Sequence, residues 1–251
     1  MRTEINNLGI LTLIMCGRYA FYLPPAKLKS FFGLENLINM PEKEWARYNC
    51  APMQDLPIVI KNRMGFARWG FRPEWSKEDD LAMASKMINA RSESVAEKPS
   101  FRGSWAANGG SGRRCIVPVS GFFEWKKQGG TGRKQPYYIQ HKTDDILCLA
   151  GLWSKVDDVV SFTVLTKQAD NEIADYHHRM PVMLKRDQVA EWFHGDVRSA
   201  HDLIDQASGA SCRLHAVGQD VGKVANDYEG LITPVNVPNV QGQEQQSSLG
   251  L

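Results

Sequence analysis

The chain has 251 residues, 43% of them hydrophobic, and a formal net charge of +2. That allows one large domain or two small ones with a substantial core, and whole-molecule electrostatics announce no polyanion partner. Five widely spaced cysteines, an odd number in a chain too large to need staples, point to a reducing compartment. No Cys-x-x-Cys, His-Glu-x-x-His, EF-hand or P-loop spacing occurs, which argues against a structural zinc or calcium site and against P-loop nucleotide hydrolysis.

At the start, Arg2 and the apolar run Leu8–Ile14 have the outline of a signal peptide. Glu4 in the would-be basic region and the lack of a small-x-small cleavage site speak against one. The run is also too short to span a membrane. Residues 1–14 are therefore read as an over-called start or a removable leader, with Met15 as the functional beginning.

A proline-opened amphipathic helix is predicted over Pro24–Leu34, with Leu28, Phe31 and Phe32 inward. Ile58–Ile60 and Phe66–Trp69 read as a hairpin around Asn62-Arg63, and Ser104–Gly112 as a glycine-rich loop. Cys115–Val119, Phe122–Lys126, Tyr137–His141, Ile146–Trp153 and Ser161–Thr166 are successive strands, punctuated by turns at Gly129-Gly130 and Asp144-Asp145. Asp170–Tyr176 is a short helix, Lys185–His194 and Val197–Ala207 are two more, and Leu214–Val217 is a last strand. The tail, 239–251, is polar without periodicity and is expected to be disordered. Strands in the middle with helices around them give an α+β class: a mostly antiparallel sheet or barrel core flanked by short helices, one domain over 15–238.

Cys16 stands directly behind Met15. A cysteine made N-terminal carries a thiol and a primary amine on one framework, so an aldehyde caught as an imine can be closed into a thiazolidine. An α-amine titrates near ~8 and a thiol near ~8.5, so both have a reactive fraction at neutral pH. Between Phe101 and Lys142 lie eight basic residues (Arg102, Arg113, Arg114, Lys126, Lys127, Arg133, Lys134, Lys142) and one acid, Glu124. Such a strip is either a solvated hairpin or a phosphate-contacting surface around one functional carboxylate. In a strand, Glu124 shares a face with Phe122 and Lys126, and apolar neighbours would raise its pKa toward neutrality.

His177-His178-Arg179-Met180-Pro181 places adjacent histidines at a helix end, where they should diverge and leave one to face a site. Asn89 and Arg91 could orient a substrate oxygen and fork a phosphate, or simply belong to an Asx-turn loop. Trp69-Gly70-Phe71-Arg72-Pro73 and Trp75 offer aromatic faces beside a basic residue, which suits unpaired bases. For Trp69 itself, core packing is the stronger explanation.

These motifs, with Tyr48-Asn49-Cys50-Ala51-Pro52 and Thr166, together resemble the SOS-response-associated peptidase family, whose members are abasic-site processing proteins. The resemblance runs from Met15 to about Pro238. It implies single-stranded DNA containing abasic sites as partner and a covalent thiazolidine crosslink to the ring-opened sugar. It implies that Cys16 supplies amine and sulfur, that Glu124 manages protons, that His177 assists ring opening and that Asn89 orients amine and sugar. Gly17, Arg18, Arg91 and Thr166 become candidate DNA contacts beside Trp69 and Arg72. A monomer without cofactor or metal is expected, cytoplasmic and nucleoid-associated when bound to DNA. The alternative is a cysteine-dependent autopeptidase that releases its own leader, with Cys16, His177 and Asn89 as nucleophile, base and orienter. A third class is a non-catalytic single-strand binder.

Overall fold

The computed structural model describes residues 16–35, 37, 45–77, 80–106, 112–128, 134–143 and 146–237. The leader at 1–14, the Gly129-Gly130 and Asp144-Asp145 turns and the tail at 239–251 lie outside the described residues.

Among the described residues, alternating and fully apolar runs rich in β-branched and aromatic residues build thirteen strands: β1 (Tyr19–Phe21), β2 (Arg47–Cys50), β3 (Asp55–Ile60), β4 (Arg63–Trp69), β5 (Asn89–Arg91), β6 (Arg114–Val119), β7 (Gly121–Lys127), β8 (Lys134–His141), β9 (Leu147–Val156), β10 (Val159–Gln168), β11 (Arg179–Pro181), β12 (Met183–Leu184) and β13 (Cys212–Ala216). The α-helices are α1 (Pro25–Phe32), α2 (Leu81–Ala84), α3 (Arg102–Ala106), α4 (Val189–His194) and α5 (Val197–Gln206). The α+β reading with a mostly antiparallel core holds.

One sheet runs β13-β8-β7-β1-β2. In the other, β10-β4-β3-β6-β9 closes on itself because β9 also pairs with β10, which makes a five-stranded barrel. Among the described residues only the β4–β10 and β5–β10 pairings are parallel. Closure leaves the barrel's own strands without free edges. Its interior is aromatic: Trp69 stacks on Phe162 at 6.2 Å between ring centroids and meets Tyr19 at 5.0 Å.

The chain passes from the barrel to the open sheet at Ser120. Its hydroxyl accepts from the Tyr22 backbone at 2.9 Å, and its amide donates to the Ala20 carbonyl at 2.8 Å. Gly121 follows because a Cβ there would sit 2.4 Å from the Tyr138 ring and 2.6 Å from the Ile139 carbonyl. This corner aims β7, and therefore Glu124, across the start of β1.

Several elements differ from expectation. The β3–β4 turn is Lys61-Asn62 rather than Asn62-Arg63, because Arg63 already pairs with Ile60, and Lys61 takes φ 56°. The loop expected over Ser104–Gly112 opens with helix α3, because Trp105 buries against Trp192. Asp170–Tyr176 is a 3₁₀ turn over Asn171–Asp175. β1, β2, β5, β11 and β12 are two to four residues long, too short to leave a period in the sequence.

Candidate functional site

β1 pairs with β7, with Tyr19 opposite Phe122, and the Phe123 amide donates to the Arg18 carbonyl at 2.9 Å. This register lays the residues before Tyr19 along β7 and brings Cys16 to Glu124. The Cys16 backbone nitrogen donates to Glu124 Oε1 at 2.8 Å. Both side chains are enclosed, Cys16 at 4% and Glu124 at 2% exposure. Cys16 has φ 41°, in the left-handed region that side-chain-bearing residues rarely adopt.

The expected face of β7 is the observed one. Phe122 packs into the main core, whereas Phe123 and Trp125 pack with Tyr138, Val217 and Leu231 on the other side. Burial pushes the Glu124 carboxyl up to about 8, against hydrogen bonds from the Cys16 and Trp125 backbones and the charge of Lys134. The same burial, reinforced by Glu124, holds the Cys16 thiol well above its ordinary range. At neutral pH this thiol is protonated, and Glu124 can exist in either form.

His177 is half-buried just before β11. Its Nδ1 lies 3.0 Å from the Arg179 carbonyl oxygen and 3.1 Å from the Arg179 amide nitrogen, which leaves Nε2 for a substrate. Burial lowers its pKa, opposed by the backbone bond and assisted by His178, Lys134 and Arg179, so it is neutral near pH 7. The two histidines do not diverge: their rings stand 4.4 Å apart, tilted by 36°. Lys134 acts on both Glu124 and His177. The motif reading noted it only as one member of a basic strip.

Asn89 and Arg91 lie on β5, in parallel register with Val164 and Thr166 of β10, rather than in a loop. Asn89 is half-buried and Arg91 is exposed. Gly17 and Arg18 are half-buried beside Cys16. One Arg18 nitrogen donates to Asn49 Oδ1 and to the Val221 carbonyl, both at 2.8 Å. Asn49 in turn donates to the Val221, Lys223 and Asn226 carbonyls at 3.4, 3.0 and 2.6 Å, tying the 221–226 loop beneath Arg18. Nothing in the local sequence marked Asn49 for this role, since the carbonyls it donates to lie more than 170 residues away.

Three predicted DNA contacts belong to the interior instead. Trp69 is 1% exposed and donates its Nε1 to the Ile88 carbonyl at 2.9 Å. Arg72 is 3% exposed, donates to the Lys77 carbonyl at 3.1 Å and faces Asp157 at 3.9 Å. Thr166 is fully enclosed; its backbone oxygen and hydroxyl accept from Arg179 at 2.5 and 3.2 Å. Arg179 also forms a bidentate pair with Glu93, so this guanidinium braces the His177 turn. The exposed tryptophan is Trp75, at 61%.

The basic strip is divided in the same way. Arg114 is interior, between the rings of Trp105 and Trp192 at 5.4 and 5.3 Å. Arg113 pairs with Glu74, and Lys142 donates to the Ala210 carbonyl at 2.8 Å. Lys126 and Lys134 remain half-exposed at the Glu124 end of the β7–β8 hairpin. Among the described residues no group of three or more His, Cys, Asp or Glu gathers where a metal could be held, and no helix is long and apolar enough to cross a membrane.

The sequence and the fold are both shared with known proteins. The chain belongs to the SOS response associated peptidase (SRAP) family, whose model matches residues 15–224. It is 33% identical over 190 residues to the abasic site processing protein YoqW of Bacillus subtilis, covering 72% of this chain and 80% of that one. With the abasic site processing protein HMCES of Gallus gallus it shares 28% identity over 272 residues, covering 89% and 79%. A crystal structure of a Bacteroides thetaiotaomicron protein has the same fold, with a TM-score of 0.74 at 23% identity over 88% of this chain and all of that one.

Proposed function

We propose that this protein processes abasic sites in single-stranded DNA by forming a thiazolidine between Cys16 and the ring-opened sugar. The observation that carries the proposal is the 2.8 Å contact between the Cys16 nitrogen and Glu124 Oε1. Once the residues before Cys16 are removed, that nitrogen becomes a primary amine held against a buried carboxyl.

The steps balance without a co-reactant. The amine attacks the aldehyde carbon, and Glu124 carries the first amine proton to the new alkoxide, which gives a carbinolamine. Glu124 then carries the second nitrogen proton to that hydroxyl, so water leaves and a neutral imine remains. The protonated Cys16 thiol then adds across the C=N bond, its sulfur to carbon and its proton to nitrogen, which closes the ring. Overall one water is lost. His177 suits proton transfer at the sugar hydroxyls during ring opening, and Asn89 suits orienting amine and sugar. Gly17, Arg18 and Arg91 suit contacts with the DNA backbone, and exposed Trp75 suits stacking on a base.

The imine acidifies the neighbouring carbon and invites β-elimination of the 3′-phosphate, a lyase outcome that closure by sulfur suppresses. The autopeptidase alternative gains less support. Its nucleophile would be a thiol held protonated by burial and by Glu124, whereas thiolate chemistry needs the opposite setting.

The test is a chain beginning at Cys16 mixed with single-stranded DNA carrying one abasic site. A denaturing gel without reductant should show an adduct, with a mass equal to the sum of the two components less one water. Absence of that species, with DNA binding intact, would leave the non-catalytic single-strand binder as the better reading.

A further inference from the structure

We propose that Lys126 binds a backbone phosphate flanking the abasic sugar, and that the ring of Tyr176 holds its ammonium in place. The proposal rests on the crosslinking reading above and deepens it. Lys126 and Glu124 are two residues apart on β7, so they share a face about 7 Å apart along the strand. Opposite them on β8 stand Gln135 and Tyr137. The Lys126 ammonium lies 4.3 Å from the centroid of the Tyr176 ring. Tyr176 is the residue before His177, and its ring meets Tyr137 at 4.5 Å and 64°. The lysine and its ring therefore stand, respectively, one strand step from Glu124 and one residue before His177.

Among the described residues Lys126 forms no ion pair. A cation resting on a π face rather than on a carboxylate is fixed in place while most of its charge stays uncompensated, and an ammonium keeps N–H donors for a further partner. Arg113 pairs with Glu74, and Arg114 and Lys142 are committed to carbonyls. An abasic nucleotide has no base to read, so phosphates are the groups left to recognise at that position. A sugar bound at the Cys16 nitrogen places its flanking phosphate within a strand step or two of Glu124, the distance at which Lys126 stands.

The experiment measures binding to a fluorescein-labelled single-stranded oligonucleotide carrying one tetrahydrofuran, an abasic analogue without an aldehyde, across a salt series. Lys126→Gln should lower affinity at low salt and reduce the slope of log K against log salt by about 0.7, the value for one single-strand phosphate contact. Lys127→Gln, exposed on the opposite face, should leave the slope unchanged. Tyr176→Leu should reproduce part of the Lys126→Gln loss, add nothing to it in the double variant, and be rescued by Tyr176→Phe. If Tyr176→Leu fails to fold, Lys126→Gln and Tyr176→Phe still carry the test. A wild-type slope in Lys126→Gln, an equal drop in Lys127→Gln, or additive losses in the double variant would overturn the assignment. Because this strand cannot crosslink, these outcomes are independent of whether the thiazolidine forms on true abasic DNA.

Discussion

Cys16 and Glu124 are 108 residues apart in sequence and 2.8 Å apart in space, and the bond between them starts from the backbone nitrogen, not the thiol. A carboxyl set against sulfur would suit a thiol nucleophile. Set against nitrogen, it suits an amine that attacks first, with sulfur following. The burial that keeps the thiol protonated fits the same order, because the thiol brings its own proton to the imine.

Cys16→Ala should therefore abolish the stable adduct. An alanine at the chain start still offers an amine, so a borohydride-trappable imine should survive at reduced yield. Parallel gels with and without borohydride make the check. A reductant-independent adduct at wild-type level from this variant would refute the thiazolidine.

The state of the Cys16 nitrogen should decide activity. In protein that retains residues 1–15 the nitrogen is a peptide amide, and crosslinking should be lost. Single-strand affinity should change little, because Arg91, Lys126 and Trp75 are elsewhere. Intact-mass measurement, binding and adduct assays on both forms test this together. Robust thiazolidine formation by protein shown to retain Met1 would contradict it.

The long strands were legible because their patterns were long: β6 to β10 each carry six or more residues of β-type composition. The face of Glu124 followed from strand alternation, and its raised pKa from its aromatic neighbours. What escaped depended on contacts distant in sequence. Core packing is the stronger reading for Trp69, but the burial of Arg72 and Thr166 is set by barrel closure, which no local window encodes. The basic strip looked uniform because charge is visible in sequence whereas enclosure between Trp105 and Trp192 is not. His177 and His178 were expected to diverge as on a helix, but the turn that holds them is 3₁₀ and leads directly into β11.

The two tryptophans should separate stability from binding. Trp69→Ala removes a stacked, hydrogen-bonded ring from the barrel and should lower stability by about 3–5 kcal/mol in a denaturant melt. Trp75→Ala should change stability by less than about 0.5 kcal/mol. It should weaken single-strand binding by about 1–3 kcal/mol if one base stacks there. A stable Trp69→Ala protein with impaired DNA binding would make Trp69 a DNA contact rather than a core residue.

Glu124 gives the sharpest test, because one carboxyl should govern both a rate and a pH profile. With Cys16 in peptide linkage, its pKa is raised to about 8 in the folded protein from an unfolded value near ~4.3. The folded state then binds more protons than the unfolded state across that window. Its contribution to stability is fully present below the unfolded value and is lost as pH rises through about 8. Glu124→Gln removes the charge, so its advantage over the parent should grow from pH 5 to pH 9, by on the order of 3–5 kcal/mol. With a free α-amine the nearby ammonium favours the carboxylate, so the window should move down and the difference shrink. Carboxyl NMR shifts of both forms, with melts at each pH, measure this directly. In the adduct assay Glu124→Gln should bind DNA normally, yet react ~10²–10⁴-fold more slowly, the usual share of a general acid–base group. Normal crosslinking with poor DNA binding in that variant would make Glu124 a structural partner of the β7–β8 lysines.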